Sequence, residues 1–364
     1  MKILITGASG FIGSFIVEEA LNRGYETWAA VRGSSSRAYL QDARIHFIEL
    51  DLSSKERLKE QLRGHEFDYV VHAAGVTKCL KRSDFFRVNT EGTKNLVSAI
   101  RELDMPLHRF VYISSLSVFG AIKEKQPYHD IREDDTPRPN TAYGQSKLAA
   151  ERWLDALNAE IEARQKREKN GACSSYAEQG QGSTEGQARE ETPFPFVVLR
   201  PTGVYGPRER DYFMMVKSIK QHTDFAVGFR RQDITFVYVT DVVQAVFLTF
   251  DHGHYGRKYF LSDGQVYQST TFSNLIHQEL GRPWWIRIKA PVWVLRIVAF
   301  CGDLVAHVTG KPTALNNDKY HILKQRNWRC DIQPAIDELG YKPQVQLAEG
   351  VRRAVEWYKN EGWV

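Results

Sequence analysis

Three side chains in the middle of the chain have the types and spacing that proton transfer at a carbonyl requires. Tyr143 and Lys147 are four residues apart in a stretch that opens a long predicted helix near Asn140, so they share one helix face. Ser115 ends an apolar segment that starts at Arg109. Tyrosine acts as a general base near neutral pH only if its pKa falls from about 10 to near 7, which costs about 4 kcal/mol. A lysine ammonium about 4 Å away supplies on the order of 4 kcal/mol at an effective dielectric constant of about 20.

These residues predict proton transfer coupled to hydride transfer. Ser115 would hold the substrate oxygen as it passes between alcohol and carbonyl, stabilising charge where it develops. The hydride would move to or from a nicotinamide, so the protein supplies proton transfer and orientation. A tyrosine four residues before a lysine occurs by chance in many helices. Its place after five predicted strands, with a serine at the fifth strand's end, favours a catalytic role for Ser115, Tyr143 and Lys147.

The first 22 residues predict a strand, a phosphate-binding turn and a helix. Residues 1–5 have the pattern of a short buried strand, and Phe11 to Asn22 carries apolar residues at helical spacing. Between them Gly7 permits a tight turn, Gly10 lets the backbone approach a pyrophosphate, and Gly13 lets the helix pack closely on the strand. The positive end of the helix then faces the phosphates. A purely structural turn is the alternative, and the strand before and helix after favour a dinucleotide site.

The residue types at the end of the second predicted strand indicate whether NAD or NADP is the expected cofactor. An acid there would accept the ribose 2′-hydroxyl of NAD, whereas arginine pairs with the 2′-phosphate of NADP. The chain has Arg32 and Arg37 with three serines between them, and no acid is expected in reach. Charge-assisted contacts from guanidinium groups suit a phosphate. We therefore predict NADP rather than NAD, with a solvated basic loop as the alternative.

Further positions are expected to line the cofactor site. Asp51, at the end of the third predicted strand, could contact the adenine edge. The small residues Ala73, Ala74 and Gly75 would let the end of the fourth strand approach the cofactor closely. The other predicted cofactor-binding residues are Ser9, Phe11, Ile12, Leu52, Asn89, Tyr143, Lys147, Pro201, Thr202, Gly203 and Val204.

Alternation of strand and helix patterns predicts an α/β fold, a Rossmann-type doubly wound parallel sheet with a smaller, mixed α/β C-terminal substrate subdomain. Ligands bind at the carboxyl ends of such strands. We expect the NAD(P)-binding domain to comprise residues 1–200 and 236–264, and the substrate subdomain residues 201–235 and 265–364. Residues 160–192 are rich in Gly, Ser, Gln, Glu and Lys, and predict a mobile surface insertion.

The C-terminal part of the chain contains an apolar stretch and several tryptophans. Residues 291–308 are interrupted by Arg296, Asp303 and His307 and fall short of the roughly 20 residues that span a bilayer. A buried or cleft-lining helix is favoured there over a membrane-surface element. The tryptophans suit either a lid over an apolar ligand or the subdomain's own core. They are Trp284, Trp285, Trp293, Trp328 and Trp357.

Composition excludes several other classes of protein. The 364 residues carry 49 basic and 44 acidic side chains, a mild excess with no dense basic run interleaved with aromatics, so no nucleic-acid partner is predicted. Four widely separated cysteines suggest neither a metal site nor a disulfide framework. The N-terminus enters the first strand directly, so no signal peptide is expected. A cytoplasmic protein without a transmembrane segment is predicted.

Five motifs together resemble the extended short-chain dehydrogenase/reductase family, also called the NAD-dependent epimerase/dehydratase family. They are TGASGFIG, HAAG, YISSLSVFG, YGQSK and LRPTGVYGP, spread from Met1 to about Ser262. The resemblance implies a Rossmann domain, a C-terminal substrate subdomain, and catalytic roles for Ser115, Tyr143 and Lys147. It also implies a homodimer formed through the helices that start near Asn89 and Tyr143.

Two departures bear on the substrate. Sugar-nucleotide epimerases of the family usually carry asparagine where this chain has Gly203, and an acid where it has Val31 and Arg32. The strings RPTGVYGPRERD and FVYVTDVVQA look more like the 3β-hydroxysteroid dehydrogenase and dihydroflavonol reductase branch. That similarity implies a bulky, largely apolar substrate. Together with the NADP prediction from Arg32 and Arg37, it gives an NADP-dependent dehydrogenase or reductase acting on a secondary alcohol or ketone of such a molecule.

Two other functions remain open. A sugar-nucleotide epimerase or dehydratase would use the same three catalytic residues and a pyrophosphate clamp. Arginines that could supply the clamp are Arg208, Arg210, Arg230 and Arg231. A non-catalytic NADP-binding sensor is the third function, and the intact tyrosine and lysine count against it.

Overall fold

The structure is a computed structural model that describes residues 1–175, 192–282, 284–309, 313 and 316–364. Its strands are β1 (Lys2–Thr6), β2 (Glu26–Val31), β3 (His46–Glu49), β4 (Tyr69–His72), β5 (Arg109–Ile113), β6 (Phe196–Pro201), β7 (Gly203–Tyr205), β8 (Thr223–Val227), β9 (Asp233–Ile234), β10 (Phe236–Tyr238), β11 (Lys258–Leu261), β12 (Tyr267–Gln268), β13 (Ile286–Ala290) and β14 (Asn327–Trp328).

The helices alternate with these strands through the first half of the chain. They are α1 (Phe11–Asn22), α2 (Lys55–Leu62), α3 (Arg82–Phe85), α4 (Gly92–Glu102), α5 (Ala142–Ser175), α6 (Arg210–Lys220), α7 (Val239–His252), α8 (Thr271–Glu279), α9 (Val292–Thr309), α10 (Asn317–Lys324), α11 (Gln333–Leu339) and α12 (Leu347–Asn360). A π-helical turn at Phe86–Glu91 joins α3 to α4, and a 3-10 turn at Leu116–Val118 follows β5.

Seven parallel strands form the main sheet, in the order β11-β6-β5-β4-β1-β2-β3. The chain runs outward from β1 to β3, returns to β4, and then runs outward in the other direction. The crevice at the carboxyl ends of β1 and β4 is therefore the point where such sheets bind ligands. The predicted Rossmann-type sheet is confirmed.

Two hydrophobic cores cover the faces of this sheet. Successive strand residues point to opposite faces, so Ile3 and Ile5 pack in one core with α1 and α7, whereas Leu4 packs in the other with α2, α4 and α5. By the same alternation, Val71 packs in the first of these cores and Val70 in the second. Strands buried on both faces explain the nearly continuous apolar runs in the sequence.

A third core lies in the C-terminal subdomain. Tyr205, Phe236, Phe272 and Tyr358 pack there with α6, α8 and α12. Three small sheets lie beside it, formed by β7 with β10, β9 with β12 and β14, and β8 with β13. A smaller, mixed α/β subdomain agrees with the sequence prediction, and the residue boundaries given above stay a prediction.

The first part of the predicted insertion is helical. Helix α5 continues to Ser175, although a loop was expected from Glu160 onward. Glu160 forms an ion pair with Arg164 one turn later, and the segment is rich in helix-favouring Glu, Ala, Arg and Lys. Residues 176–191, the rest of that prediction, lie outside the described residues.

The apolar stretch near residue 300 forms the predicted helix, but the helix is not buried. In α9 the side chains of Trp293, Ile297 and Phe300 are exposed, and Ala299 is buried. Its main packing partner is α10. The expectation of a buried helix is therefore wrong for most of its described side chains, whereas Asp303 of α9 lines a cleft. Within the described residues, no helix combines the length and apolarity needed to cross a membrane.

Candidate active site

The three predicted catalytic residues lie together at the carboxyl edge of the sheet. Ser115 follows β5 and opens the 3-10 turn, while Tyr143 and Lys147 lie on the first two turns of α5. The hydroxyl of Ser115 lies close enough to the phenol of Tyr143 to lower its pKa. It also donates to the Ser117 hydroxyl at 3.1 Å and accepts the backbone N–H of Ser117 at 3.1 Å.

Helix α5 approaches Ser117 closely because residue 144 is glycine. A Cβ atom on Gly144 would lie 2.3 Å from the carbonyl oxygen of Ser117, which no real Cβ tolerates. The glycine lowers helix propensity by about 1 kcal/mol relative to alanine. Close packing of the helix on the Ser115 turn accounts for its presence between the tyrosine and the lysine.

The C-terminal subdomain caps the helix that carries the site. A carboxylate oxygen of Asp318 accepts hydrogen bonds from the backbone N–H groups of Ala142 and Tyr143, at 3.0 and 3.4 Å. Thr141 caps the next amide, Gly144 N–H, at 3.0 Å. A negative charge at a helix N-terminus stabilises the free amides and the dipole. Asp318 therefore ties α10 to the first turn of α5.

Burial dominates the protonation of the tyrosine and the lysine. It raises the pKa of Tyr143 to about 12, an effect that the neighbouring Ser115 hydroxyl partly offsets. It lowers the pKa of Lys147 to about 8, and the charge of Glu151 acts in the opposite direction. The expected lowering of the Tyr143 pKa by Lys147 is absent here. Lys147 Nζ instead donates to the carbonyl of Ile113 at 2.8 Å.

A buried ion pair lies one helical turn beyond the lysine. Arg200, near the end of β6, pairs with Glu151 on α5, and their side chains are 5% and 1% exposed. The Nε of Arg200 lies 3.2 Å from Oε1 of Glu151, an oxygen that also accepts the hydroxyl of Ser114. The pair thus joins α5 to the ends of β5 and β6, the elements that hold Ser115 and Lys147.

Asn89 and His72 fix the chain around the end of β4. Asn89 lies in the π-helical turn, where its amide accepts the N–H of Val76 at 2.8 Å and donates to the Ser146 hydroxyl at 2.9 Å. His72 lies between the hydroxyls of Thr6 and Thr93, 2.7 and 3.0 Å from its ring nitrogens. Burial lowers the pKa of His72 to about 3, so the ring is neutral.

The glycine-rich turn has the shape that a bound phosphate requires. Gly7 adopts φ +69°, and a Cβ there would lie 2.6 Å from the backbone N of Ala74. A Cβ on Gly13 would lie 2.1 Å from the carbonyl of Gly7. Gly10 is exposed and no side chain caps the start of α1, so the first amides of the helix are open to a ligand. These residues fit a dinucleotide pyrophosphate.

The end of β4 lies against both the turn and the catalytic lysine. Ala73 and Ala74 contact Gly7, and a Cβ on Gly75 would lie 3.0 Å from Asn89 Oδ1 and 3.2 Å from Lys147 Nζ. The predicted small residues therefore bring the glycine turn, Asn89 and Lys147 into one continuous crevice. Ser9 lies in the turn itself, and Phe11 and Ile12 begin α1.

The predicted 2′-phosphate cup is exposed, and an acid lies beside it. Arg32 and Arg37 form no ion pair with any described carboxylate, and the guanidinium of Arg37 stacks 4.2 Å from the centre of the Phe47 ring. Glu49, at the end of β3, accepts the N–H of Gly33 at 3.1 Å. The prediction that no acid is in reach considered the second strand alone. It is wrong, because the neighbouring strand β3 supplies Glu49.

The remaining predicted cofactor residues lie at strand ends with their own partners. Asp51 follows β3 by two residues and accepts hydrogen bonds from Ser53 and Arg57. Leu52 accepts the side-chain amide of Asn95. The segment Pro201, Thr202, Gly203 and Val204 joins β6 to β7, and the hydroxyl of Thr202 donates to the carbonyl of Thr235 at 2.8 Å.

A cleft of about 210 Å³ opens beside the first turn of α5. Part of its lining is apolar, including Leu80 and Phe85, and part is polar, including Arg82, Asn316 and Asp318. Ala142, the residue before Tyr143, is part of the lining, whereas Ser115, Tyr143 and Lys147 are not.

The four arginines considered for a pyrophosphate clamp do not come together at one site. Arg208 bonds to Ser14 and Glu18 on α1, and Arg231 pairs with Asp233 at 2.6 Å. Arg210 and Arg230 are exposed. Among the described residues, no group of three or more His, Cys, Asp or Glu side chains is arranged to hold a metal ion.

Sequence reasoning missed four residues that support the site. Gly144 could have been found, because a glycine inside a predicted helix needs a packing reason. Asp318 is 175 residues from Tyr143 and gives no local signal. Glu151 and Arg200 are buried charges whose pairing depends on the order of the strands.

Comparison with known proteins identifies relatives over the whole chain. A family model described as "NAD dependent epimerase/dehydratase family" matches residues 3–261. The human dTDP-D-glucose 4,6-dehydratase is 25% identical over 98% of this chain and 90% of its own length. The decarboxylating sterol-4-alpha-carboxylate 3-dehydrogenase of Schizosaccharomyces pombe is 25% identical over 99% of this chain and 98% of its own length.

A solved structure shares the fold. The dTDP-glucose 4,6-dehydratase DesIV of Streptomyces venezuelae, determined with NAD bound, superposes with a TM-score of 0.73 at 22% identity. The match covers 100% of this chain and 98% of that chain.

Proposed function

The chain belongs to the NAD-dependent epimerase/dehydratase family, and we propose that it is an NADP-dependent oxidoreductase that interconverts a secondary alcohol and a ketone on a bulky, largely apolar substrate. The observation that carries this proposal is the closeness of the Ser115 hydroxyl to the phenol of Tyr143, one helical turn from buried Lys147. In this family's enzymes the bound nicotinamide supplies or accepts the hydride.

The protein's own residues supply the proton and orient the substrate. With its pKa near 12, the phenol of Tyr143 is protonated at neutral pH and can donate to a ketone oxygen as negative charge develops there. Ser115 holds the same oxygen. Lys147, with a pKa near 8, is mostly charged at neutral pH and stabilises the phenolate left after proton donation.

Elimination of water is less well supported than simple hydride transfer. A dehydration needs a second acid or base beside the tyrosine. The residues after Ser115 are Leu116 and Ser117, neither of which is a carboxylate. Two carboxylates of the described chain lie near the site. Asp318 accepts hydrogen bonds from the first backbone amides of α5, and Glu151, which lies on α5, pairs with Arg200.

The preference for NADP rests on the exposed arginines at the end of β2. Replacing Arg32 with alanine is expected to weaken NADPH binding about 10- to 100-fold, because a charge-assisted hydrogen bond contributes about 1.5–3 kcal/mol. NADH binding should change little. Dissociation constants from cofactor fluorescence measure both effects.

Two further variants control this measurement. Arg152→Ala removes an exposed arginine from α5 and should affect neither cofactor. Glu49→Gln removes the acid beside Gly33 and should favour NADPH, because that carboxylate repels a 2′-phosphate. Equal losses for NADPH and NADH in Arg32→Ala would mean that Arg32 does not contact the phosphate.

An apolar substrate is supported by Leu80 and Phe85 in the cleft and by the relative that acts on a sterol. The test is nicotinamide absorbance over time with NADP(H) and NAD(H), using hydroxysteroids, flavanonols, simple ketones and UDP-sugars. We expect turnover of a polycyclic or aromatic alcohol or ketone, with NADP preferred. If none of the apolar compounds is turned over and a UDP-sugar is converted, the proposed substrate class is wrong.

A sugar-nucleotide epimerase or dehydratase is the second candidate. The polar half of the cleft, with Arg82 and Asn316, and the dTDP-glucose dehydratase relative favour it. Product analysis distinguishes it from the first candidate, because an epimerase converts a UDP-sugar without net change of cofactor. The homodimer and the cytoplasmic location stay predictions.

A further inference from the structure

Exposed apolar side chains are concentrated on one part of the C-terminal subdomain. Of the seventeen large apolar side chains that are exposed in the described chain, two lie at residues 225–229 and ten at residues 284–305. Single exposed apolar residues are normal on protein surfaces, but a concentration of this kind marks an interaction site. The two segments are neighbours in the fold.

Strands β8 and β13 bring the two segments together. They pair in parallel, with Ile288 opposite Phe225. Arg287 points inward to the buried carboxylate of Asp224, at 2.7 Å, whereas its neighbours Ile286 and Ile288 are exposed. The outer face of this two-stranded sheet is therefore apolar.

Helix α9 continues the same surface. It follows β13 directly, and its first residue, Val292, lies against Gly228 at the end of β8. Trp293, Ile297, Phe300 and Leu304 are spaced by four, three and four residues, so they form one stripe along the helix. Each is more than half exposed, Phe300 by 71%. We call the exposed residues of β8, β13 and α9 the apolar surface.

The segments that carry the apolar surface, together with the end of α6 that leads into β8, are also basic. Residues 217–231 and 282–296 contain eight lysines and arginines and one acid, Asp224, which is buried. Arg287 pairs with Asp224, and Arg231 with Asp233. The other six are exposed and form no ion pair with a described carboxylate. They are Lys217, Lys220, Arg230, Arg282, Lys289 and Arg296.

We propose that the apolar surface is a docking site for an anionic lipid bilayer, into which the stripe of α9 inserts at the level of the headgroups. A helix with aromatic and aliphatic residues on one face is a form that binds in the interface plane. Helix α9 carries one lysine or arginine, Arg296, and the other five cations lie before, in or after β8 and β13. Anionic headgroups complement the six unpaired cations. Asp303 is the carboxylate on α9, and it accepts the backbone N–H of Asn317.

A second copy of this chain is a poorer occupant of the same surface. A two-fold interface places the same patch of both copies face to face. The six unpaired cations of one copy would then oppose those of the other, and like charges repel. The charge pattern therefore favours a surface of opposite sign. This inference does not depend on the proposed activity, because lipid binding is measured without turnover.

The test is flotation of the full-length protein with two kinds of vesicle, phosphatidylcholine alone and phosphatidylcholine with phosphatidylglycerol. At low salt we expect at least ~10-fold stronger binding to the anionic vesicles, and weaker binding at high salt. Phe300→Asp should reduce binding at least ~10-fold, because it removes a buried phenyl ring from the lipid phase. Arg296→Gln should reduce binding about 5-fold.

A matched variant and a second measurement keep the result interpretable. Val266→Asp alters an exposed apolar residue outside the apolar surface and should bind as the wild type does. NADPH affinity reports whether each variant is folded. Equal binding to neutral and anionic vesicles, or none to either, would overturn the proposal. Self-association in sedimentation that Phe300→Asp abolishes, without vesicle binding, would instead assign the surface to a second copy.

Discussion

Replacing Tyr143 with phenylalanine is expected to lower kcat by about 10²- to 10⁴-fold, the range that a single general acid or base contributes. The substitution removes only the phenol oxygen, which lies beside the hydroxyl of Ser115. Because that oxygen acts mainly in the transition state, kcat and kcat/KM should fall by similar factors. Absorbance assays with the best substrate of the panel measure both constants.

Two controls separate chemistry from folding and binding. NADPH affinity and the thermal midpoint of Tyr143→Phe should stay close to those of the wild type, because the ring is retained. Tyr255→Phe, which alters an exposed tyrosine, should leave turnover unchanged. An increase in KM with kcat unchanged would show that Tyr143 binds substrate without transferring a proton.

Removing the charge of Glu151 is expected to give the largest loss of stability. Glu151→Gln keeps the shape of the side chain but leaves the buried guanidinium of Arg200 without its counter-ion. Breaking a buried pair in this way costs about 3–5 kcal/mol of unfolding free energy. Urea denaturation measures the loss.

A matched variant lies on the same helix. Glu160→Gln removes an exposed ion pair with Arg164, four residues away, and should cost less than about 0.5 kcal/mol. Adding Arg200→Met to Glu151→Gln should recover much of the stability, because it removes the unpaired charge. Similar losses for Glu151→Gln and Glu160→Gln would show that the buried pair contributes little.

The same variant has an effect on activity that a purely structural role would not produce. The charge of Glu151 raises the pKa of Lys147, which burial otherwise lowers to about 8. Without it the Lys147 pKa falls further, so the ammonium loses its proton at a lower pH. The alkaline decline in kcat should therefore move to lower pH in Glu151→Gln than in the wild type.

Local patterns in the sequence determined the central features of the fold. The strand, glycine turn and helix at residues 1–22 appear with nearly the predicted bounds, because each depends on neighbouring residues alone. The grouping of Ser115, Tyr143 and Lys147 followed from strand order and from the spacing of residues along one helix face. These inferences needed no knowledge of distant contacts.

Composition alone misled the interpretation of two segments. The polar residues from Glu160 onward suggested a loop, yet α5 extends to Ser175, with an ion pair between Glu160 and Arg164 and many strong helix formers. The apolar residues of α9 suggested burial, yet the structure exposes them. Hydrophobic periodicity predicts that a helix has an apolar face, but not what covers that face.

Tertiary structure decided the contacts between residues far apart in the chain. The sequence determined the nucleotide-binding fold and the three candidate catalytic residues, because short-range spacing and strand order suffice for both. Only the folded chain places Asp318 on the first amides of α5, Arg200 against Glu151, and Glu49 beside Gly33. Such pairs arise from strand order and subdomain packing, and no local pattern encodes them.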